Sequence, residues 1–118
     1  MYSARLLDHF QNPRNVGALP APAVTAEVSN PACGDILRLS VALRDGRVAE
    51  ARYQTRGCTA SIAAGSALTE LLIGRTQGEM ASIRPGEVED AVGGLSAESK
   101  HAAVLAVDAV RAVVKRLG

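Results

Sequence analysis

Hydrophobic positions change their period twice along this chain. Tyr2, Leu6, Leu7 and Phe10 form one stripe at helical spacing, which predicts a short amphipathic helix over residues 2–11. Asn12-Pro13 should stop it, because proline disfavours helix in the residue before it. Residues 13–22 carry three prolines and a glycine and read as an extended connector. The period then drops to two. Val24, Ala26 and Val28 alternate with polar residues, as do Leu37, Leu39, Val41 and Leu43, and then Ala49, Ala51 and Tyr53. Such alternation predicts three half-buried strands. Asp45-Gly46 between the second and third is a strong hairpin signal, so an antiparallel meander is expected.

The second half returns to helical spacing. Residues 59–73 are rich in Ala, Ser and Leu, with Gly74 placed as a C-terminal cap. Thr76 and Glu79 have capping-box spacing for a short helix. Pro85-Gly86 and Gly93-Gly94 punctuate a stretch expected to be loop. A long helix is predicted from about Ala97 to Leu117, with Ala103, Val107, Val110, Val114 and Leu117 on its apolar face. The expected fold class is α+β: a small three-stranded antiparallel sheet with helices packed on one face.

Composition narrows the function. At 118 residues, one domain over 1–118 is expected. Hydrophobic residues make up 47% and charged residues 21%, which excludes wholesale disorder. A net charge of +1 argues against a dedicated nucleic-acid binder, and three aromatic residues are too few for a base-stacking platform. No apolar run approaches the ~20 residues of a membrane span, so no membrane partner is expected. Residues 1–5 lack the blocks of a secretion signal. A cytoplasmic location follows, where Cys33 and Cys58 stay reduced unless they have a ligand or a task.

The hairpin bears on those cysteines. If Asp45-Gly46 is a two-residue loop, facing residues have numbers that sum to 91, as those of Cys33 and Cys58 do. The two would lie opposite each other at the open end, with Asp35 on the same face as Cys33. A bulge near Gly34 or Gly57 would shift this register by one. Cys58 also opens the predicted second helix, where free N–H groups favour an anion, and Gly57 gives the backbone freedom to turn. His101 falls in the first turn of the last helix. If that end packs beside the hairpin mouth, Cys33, Asp35, Cys58 and His101 form a four-donor set suited to zinc or an iron–sulfur cluster. The alternatives are a disulfide or two small buried thiols, a surface His101 and a turn-stabilising Asp35. His9 is expected to cap its helix end. Ser66 and Thr69 have no base nearby in sequence, so no hydroxyl nucleophile stands out.

Residues 7–17, LDHFQNPRNVG, together with Pro31-Ala32-Cys33-Gly34-Asp35, Gly57-Cys58-Thr59-Ala60-Ser61, Leu68 to Thr76 and Lys100-His101-Ala102-Ala103, resemble the signatures of the IscU/NifU N-terminal family of iron–sulfur cluster assembly scaffolds. The resemblance implies a scaffold or carrier rather than an enzyme. It implies that Cys33, Asp35, Cys58 and His101 hold a nascent [2Fe–2S] cluster or a zinc ion, with Asp35 aiding release. It implies a cysteine desulfurase as sulfur donor and apo iron–sulfur proteins as recipients, with the chain a monomer or weak homo-oligomer. The sequence departs from the family at Ala102, where a third ligand cysteine is usual, and at Leu95–Ser99, where a chaperone-recognised proline stretch is usual. It also lacks the insertion typical of the related SufU branch. Two other functions are therefore carried: a zinc-binding persulfide relay with Cys33 and Cys58 as candidate acceptors, and a non-catalytic binding relative.

Overall fold

In the computed structural model, residues 2–31 and 34–118 are described. The chain runs α1 (Ala4–Gln11), β1 (Val24–Asn30), β2 (Asp35–Arg44), β3 (Arg47–Arg56), α2 (Thr59–Leu72), α3 (Gln77–Ala81), α4 (Pro85–Ala91) and α5 (Lys100–Leu117), with a 3₁₀ turn at Ala97–Ser99 leading into α5. The strands form one antiparallel sheet in the order β1-β2-β3. Its inner face, with Ala26, Leu37, Leu39, Val41, Val48, Ala51 and Tyr53, packs against α2 and α5 in the main core. The helices cover one side of the sheet, and the expected α+β meander is what forms.

Asp45 and Gly46 both have positive φ, +54° and +77°, which is the geometry of a two-residue type I′ hairpin turn. The register is not uniform beyond it. Arg44 pairs with Arg47 and Leu43 with Val48, both summing to 91, but from Ala42–Glu50 to Ile36–Arg56 the sum is 92. A bulge leaves Ala49 as the extra residue. It also shifts the phase of β3 at its turn end: Val48 is buried and Ala49 exposed, against the expected inward Ala49, while Ala51 and Tyr53 face inward as expected. The bulge sits near the turn, not near Gly34 or Gly57.

The free edge of β3 is covered rather than left open. Asn15 O accepts from Tyr53 N at 3.0 Å and Gly17 N donates to Tyr53 O at 2.9 Å. At the other end, Gly74 N and Arg75 O bond to Val48 O and N, each at 2.8 Å. These loops interrupt the edge at two points, so it offers no long unbroken row of amides for another strand to join.

α2 is enclosed on nearly every side, by α1, β3 and α5, and its sequence of small residues allows the close approach. A Cβ at Gly65 would lie 2.5 Å from the Tyr53 ring, so only glycine fits under that ring. Tyr53 OH donates to Ile62 O at 2.8 Å, and burial pushes its pKa up to about 12.

Four further expectations change. The α1 stripe splits: Leu6 is buried, whereas Tyr2, Leu7 and Phe10 stay exposed. The second inward side chain of α1 is His9, which does not cap its helix. Its Nδ1 lies 2.7 Å from Ser66 Oγ on α2, and its Nε2 faces Glu70 Oε1 at 3.6 Å. Residues 85–91 are helical rather than loop. Pro85 occupies the first turn, where no N–H is needed, and Glu87 Oε2 accepts from Arg84 N at 2.9 Å. On α5 the buried face is wider than the predicted stripe and includes Ala102, Leu105, Ala106, Ala109 and Val113, while Val114 and Leu117 are half-buried.

Candidate metal centre

Three elements end at one place. Asp35 is the first residue of β2, Cys58 is the N-cap of α2, and His101 is the second residue of α5. Their side chains meet. His101 Nε2 lies 3.3 Å from Asp35 Oδ2, and Cys58 Sγ lies 3.8 Å from each of these atoms. One ligand atom from each residue falls within 4.8 Å of the others. Asp35 is buried and Cys58 is exposed, so the cluster has a closed wall and an open mouth.

The neighbours fix how the donors point. Glu98 O, which can only accept, lies 2.9 Å from His101 Nδ1. Nδ1 therefore carries the hydrogen in a neutral ring, and the Nε2 lone pair faces Asp35 and Cys58. With the thiol ionised, a thiolate, a carboxylate and an imidazole lone pair all point at one another. A cation among them would satisfy all three at once, so the donor set fits a metal ion or cluster.

The route by which these residues meet differs from the expected one. With a register sum of 92, Asp35 falls beside Gly57 rather than two residues along from a Cys33–Cys58 pair. A Cβ at Gly57 would lie 2.7 Å from Asp35 Oδ1. Gly57 does not have a positive φ, so it serves close approach to the carboxylate and not the backbone freedom expected of it. Cys58 lies past the end of β3 and is placed by the strand-to-helix turn, with φ −74° and ψ 170°. The fourth expected donor, Cys33, lies outside the described residues. Ala102 offers no ligand atom, and its side chain is buried in the core.

Sequence reasoning passed over Ser61. Its hydroxyl donates to Asp35 Oδ2 at 2.6 Å and lies 3.4 Å from Cys58 Sγ. The signal was available: residues 58 and 61 are three apart at a helix start and share a face. Ser66 also has the nearby base that the sequence did not reveal, His9. However, Ser66 is fully buried and its oxygen already accepts from Arg14 N at 2.9 Å. That contact fastens α1 to α2 and offers no route to a substrate.

A small antiparallel sheet with helices on one face is the architecture of NifU-like proteins. Two solved structures share the fold. A nitrogen-fixing NifU-like protein (N-terminal) from Brucella abortus aligns with a TM-score of 0.75 at 20% identity, over 98% of this chain and 92% of that one. A putative iron–sulfur cluster assembly scaffold protein for the SUF system from Fervidobacterium islandicum aligns with a TM-score of 0.78 at 16% identity, over 96% of each. The chain belongs to the family described as the NifU-like N terminal domain, whose model matches residues 1–117. Among curated relatives, an iron–sulfur cluster assembly scaffold protein IscU of Archaeoglobus fulgidus is 40% identical over 114 residues, covering 97% of this chain and 74% of that protein. The IscU scaffold protein of Azotobacter vinelandii is 40% identical over 118 residues, covering 97% and 91%.

Proposed function

We propose that this chain is a scaffold for iron–sulfur cluster assembly and transfer, a carrier rather than an enzyme. Its cargo, a [2Fe–2S] cluster, is held by Cys33, Asp35, Cys58 and His101. The observation that carries the reading is the convergence of Asp35 Oδ2, Cys58 Sγ and His101 Nε2 within 4.8 Å at an open site, in a chain related to named scaffolds. A cysteine desulfurase supplies the sulfur and apo-proteins receive the cluster, in the cytoplasm, where thiols stay reduced. An oxygen and a nitrogen donor beside the thiolates bind a cluster less firmly than four thiolates, which suits release.

The exposure of Cys58 favours a second reading, a zinc-tuned sulfur relay. The Cys58 thiolate attacks the outer sulfur of a desulfurase persulfide. The donor's S–S bond breaks as a new one forms on Cys58, and the desulfurase leaves as its thiolate.

Anaerobic reconstitution with iron, cysteine and a desulfurase separates these readings. A scaffold binds iron and acid-labile sulfide in nearly equal amounts, and Cys58→Ser loses both. Zinc near one per chain, with a sulfur-dependent mass increase on a cysteine, supports the relay instead. Equal iron and sulfide in the parent and in Cys58→Ser overturns the assignment of Cys58 to the cluster site, and no metal and no mass increase in either overturns both readings and leaves a binding relative. Because thiolate ligands must lose a proton, metal binding weakens as pH falls, and bound metal raises the melting temperature.

A further inference from the structure

Ser61 is wholly buried, and its single hydroxyl hydrogen is spent on Asp35 Oδ2 at 2.6 Å. That oxygen is the one facing His101 Nε2 at 3.3 Å and Cys58 Sγ at 3.8 Å. The other carboxylate oxygen, Oδ1, rests over Gly57, where a Cβ would come within 2.7 Å of it. The carboxylate is thus held at one oxygen by a hydroxyl and given room at the other by the lack of a side chain.

We propose that Ser61 is a positioning residue of the metal centre, holding the Asp35 carboxylate so that Oδ2 keeps a lone pair for the bound cation. The inference rests on the reading of the site as a metal centre. The hydroxyl occupies one lone pair of Oδ2 and fixes the direction of the other. Without it, the carboxylate loses its only side-chain hydroxyl donor among the described residues and is free to rotate, which turns the Oδ2 lone pair away from Cys58 Sγ and His101 Nε2. The position of Ser61 on the first turn of α2 ties this grip to the helix that also presents Cys58, so the sulfur and the oxygen keep a fixed separation. Outer-shell partners of this kind are typically worth about 10–100-fold in metal affinity.

The test is zinc and cobalt(II) affinity of the whole chain, by competition with a chromogenic chelator, for the parent, Ser61→Ala and Ser61→Thr, each alone and with Asp35→Ala. The absorption of the cobalt(II) form reports the coordination directly, and melting of the metal-free proteins reports folding. Ser61→Ala should lose about 10–100-fold in affinity and change the cobalt spectrum, with Ser61→Thr, which keeps the hydroxyl, within about 3-fold of the parent. In the Asp35→Ala background, Ser61→Ala should change nothing further. An unchanged affinity in Ser61→Ala, or the same loss with Asp35 already removed, overturns the proposal while leaving the metal centre intact. A parent that binds neither zinc nor cobalt overturns the metal-centre reading itself, and this inference with it.

Discussion

α2 carries two polar clusters of nearly the same composition. At its start, Cys58 and Ser61 meet Asp35 and His101; farther along, Ser66 and Glu70 meet His9, with Arg14 and Asp8 close by. Each contains a histidine, a hydroxyl and a carboxylate. In the second, the acceptors at Ser66 and Thr69 are matched with hydrogens, and the buried side-chain atom left without a partner, Arg14 Nη1, is a donor and not a lone pair. Ser66 Oγ accepts from Arg14 N and sits 2.7 Å from His9 Nδ1, Thr69 Oγ1 donates to Ser66 O, and Asn15 Nδ2 donates to Thr69 Oγ1. In the first, three ligand atoms converge on an open side, and the hydrogens set among them are the Ser61 hydroxyl's, at 2.6 Å from Asp35 Oδ2, and the Cys58 thiol's, at a long 3.8 Å, which a bound metal would displace. The lesson is that residue type does not separate a lock from a binding centre. What separates them is whether protons and lone pairs already balance, and whether the cluster has an open side.

The comparison breaks first at Gly57. Gly57→Ala introduces a Cβ into the Asp35 carboxylate without backbone strain, since φ there is not positive. Zinc affinity should fall by about 100-fold or more, the upper end for a displaced ligand's support. The melting temperature of the metal-free protein should change little. Isothermal titration and a melt decide it. Unchanged zinc binding would mean that Asp35 is not a ligand in its observed position.

Ser66→Ala should do the reverse. It strands the Arg14 amide and removes the partner of buried His9, at a cost of about 1–3 kcal/mol in stability. Zinc affinity should stay within about 2-fold, because no ligand is touched. Denaturant unfolding and a zinc titration on the same sample test both arms. A large loss of zinc binding here would show that the two clusters are coupled along α2 rather than separate.

Period-two alternation and Asp45-Gly46 made the sheet legible, and Cys58 with His101 at helix starts made much of the centre legible. The register did not survive intact, because a bulge at Ala49 costs one residue of phase and nothing in Arg47-Val48-Ala49-Glu50 marks it. α4 was hidden by Pro85, which reads as a breaker yet is favourable in a first turn. α1 misled because its exposed Tyr2, Leu7 and Phe10 imitate a buried stripe, while polar His9 takes the inward position beside Leu6. A pattern of hydrophobicity cannot anticipate a buried histidine whose partner lies 57 positions away. The setting of Asp35 was missed for a related reason: it is made of a serine and a glycine, residues whose roles here exist only in contact with the carboxylate.

The smallest effect concerns His9 and sharpens the contrast through pH. Burial, and then the Arg14 charge, holds its pKa below the ordinary 6.5, with Glu70 and Asp8 pulling the other way. The fold thus favours neutral His9, and between its folded value and 6.5 the unfolded chain binds more protons. Linkage then makes the contribution of His9 complete above 6.5 and reduces it as pH falls through that window toward the folded value. Metal-free parent and His9→Asn, unfolded in denaturant from about pH 8 to about pH 5, should therefore diverge below 6.5, the parent losing more stability on acidification. Parallel curves would show that the Ser66 contact holds protonated His9 equally well. In that case the lock, like the metal centre, would have room for one more positive charge.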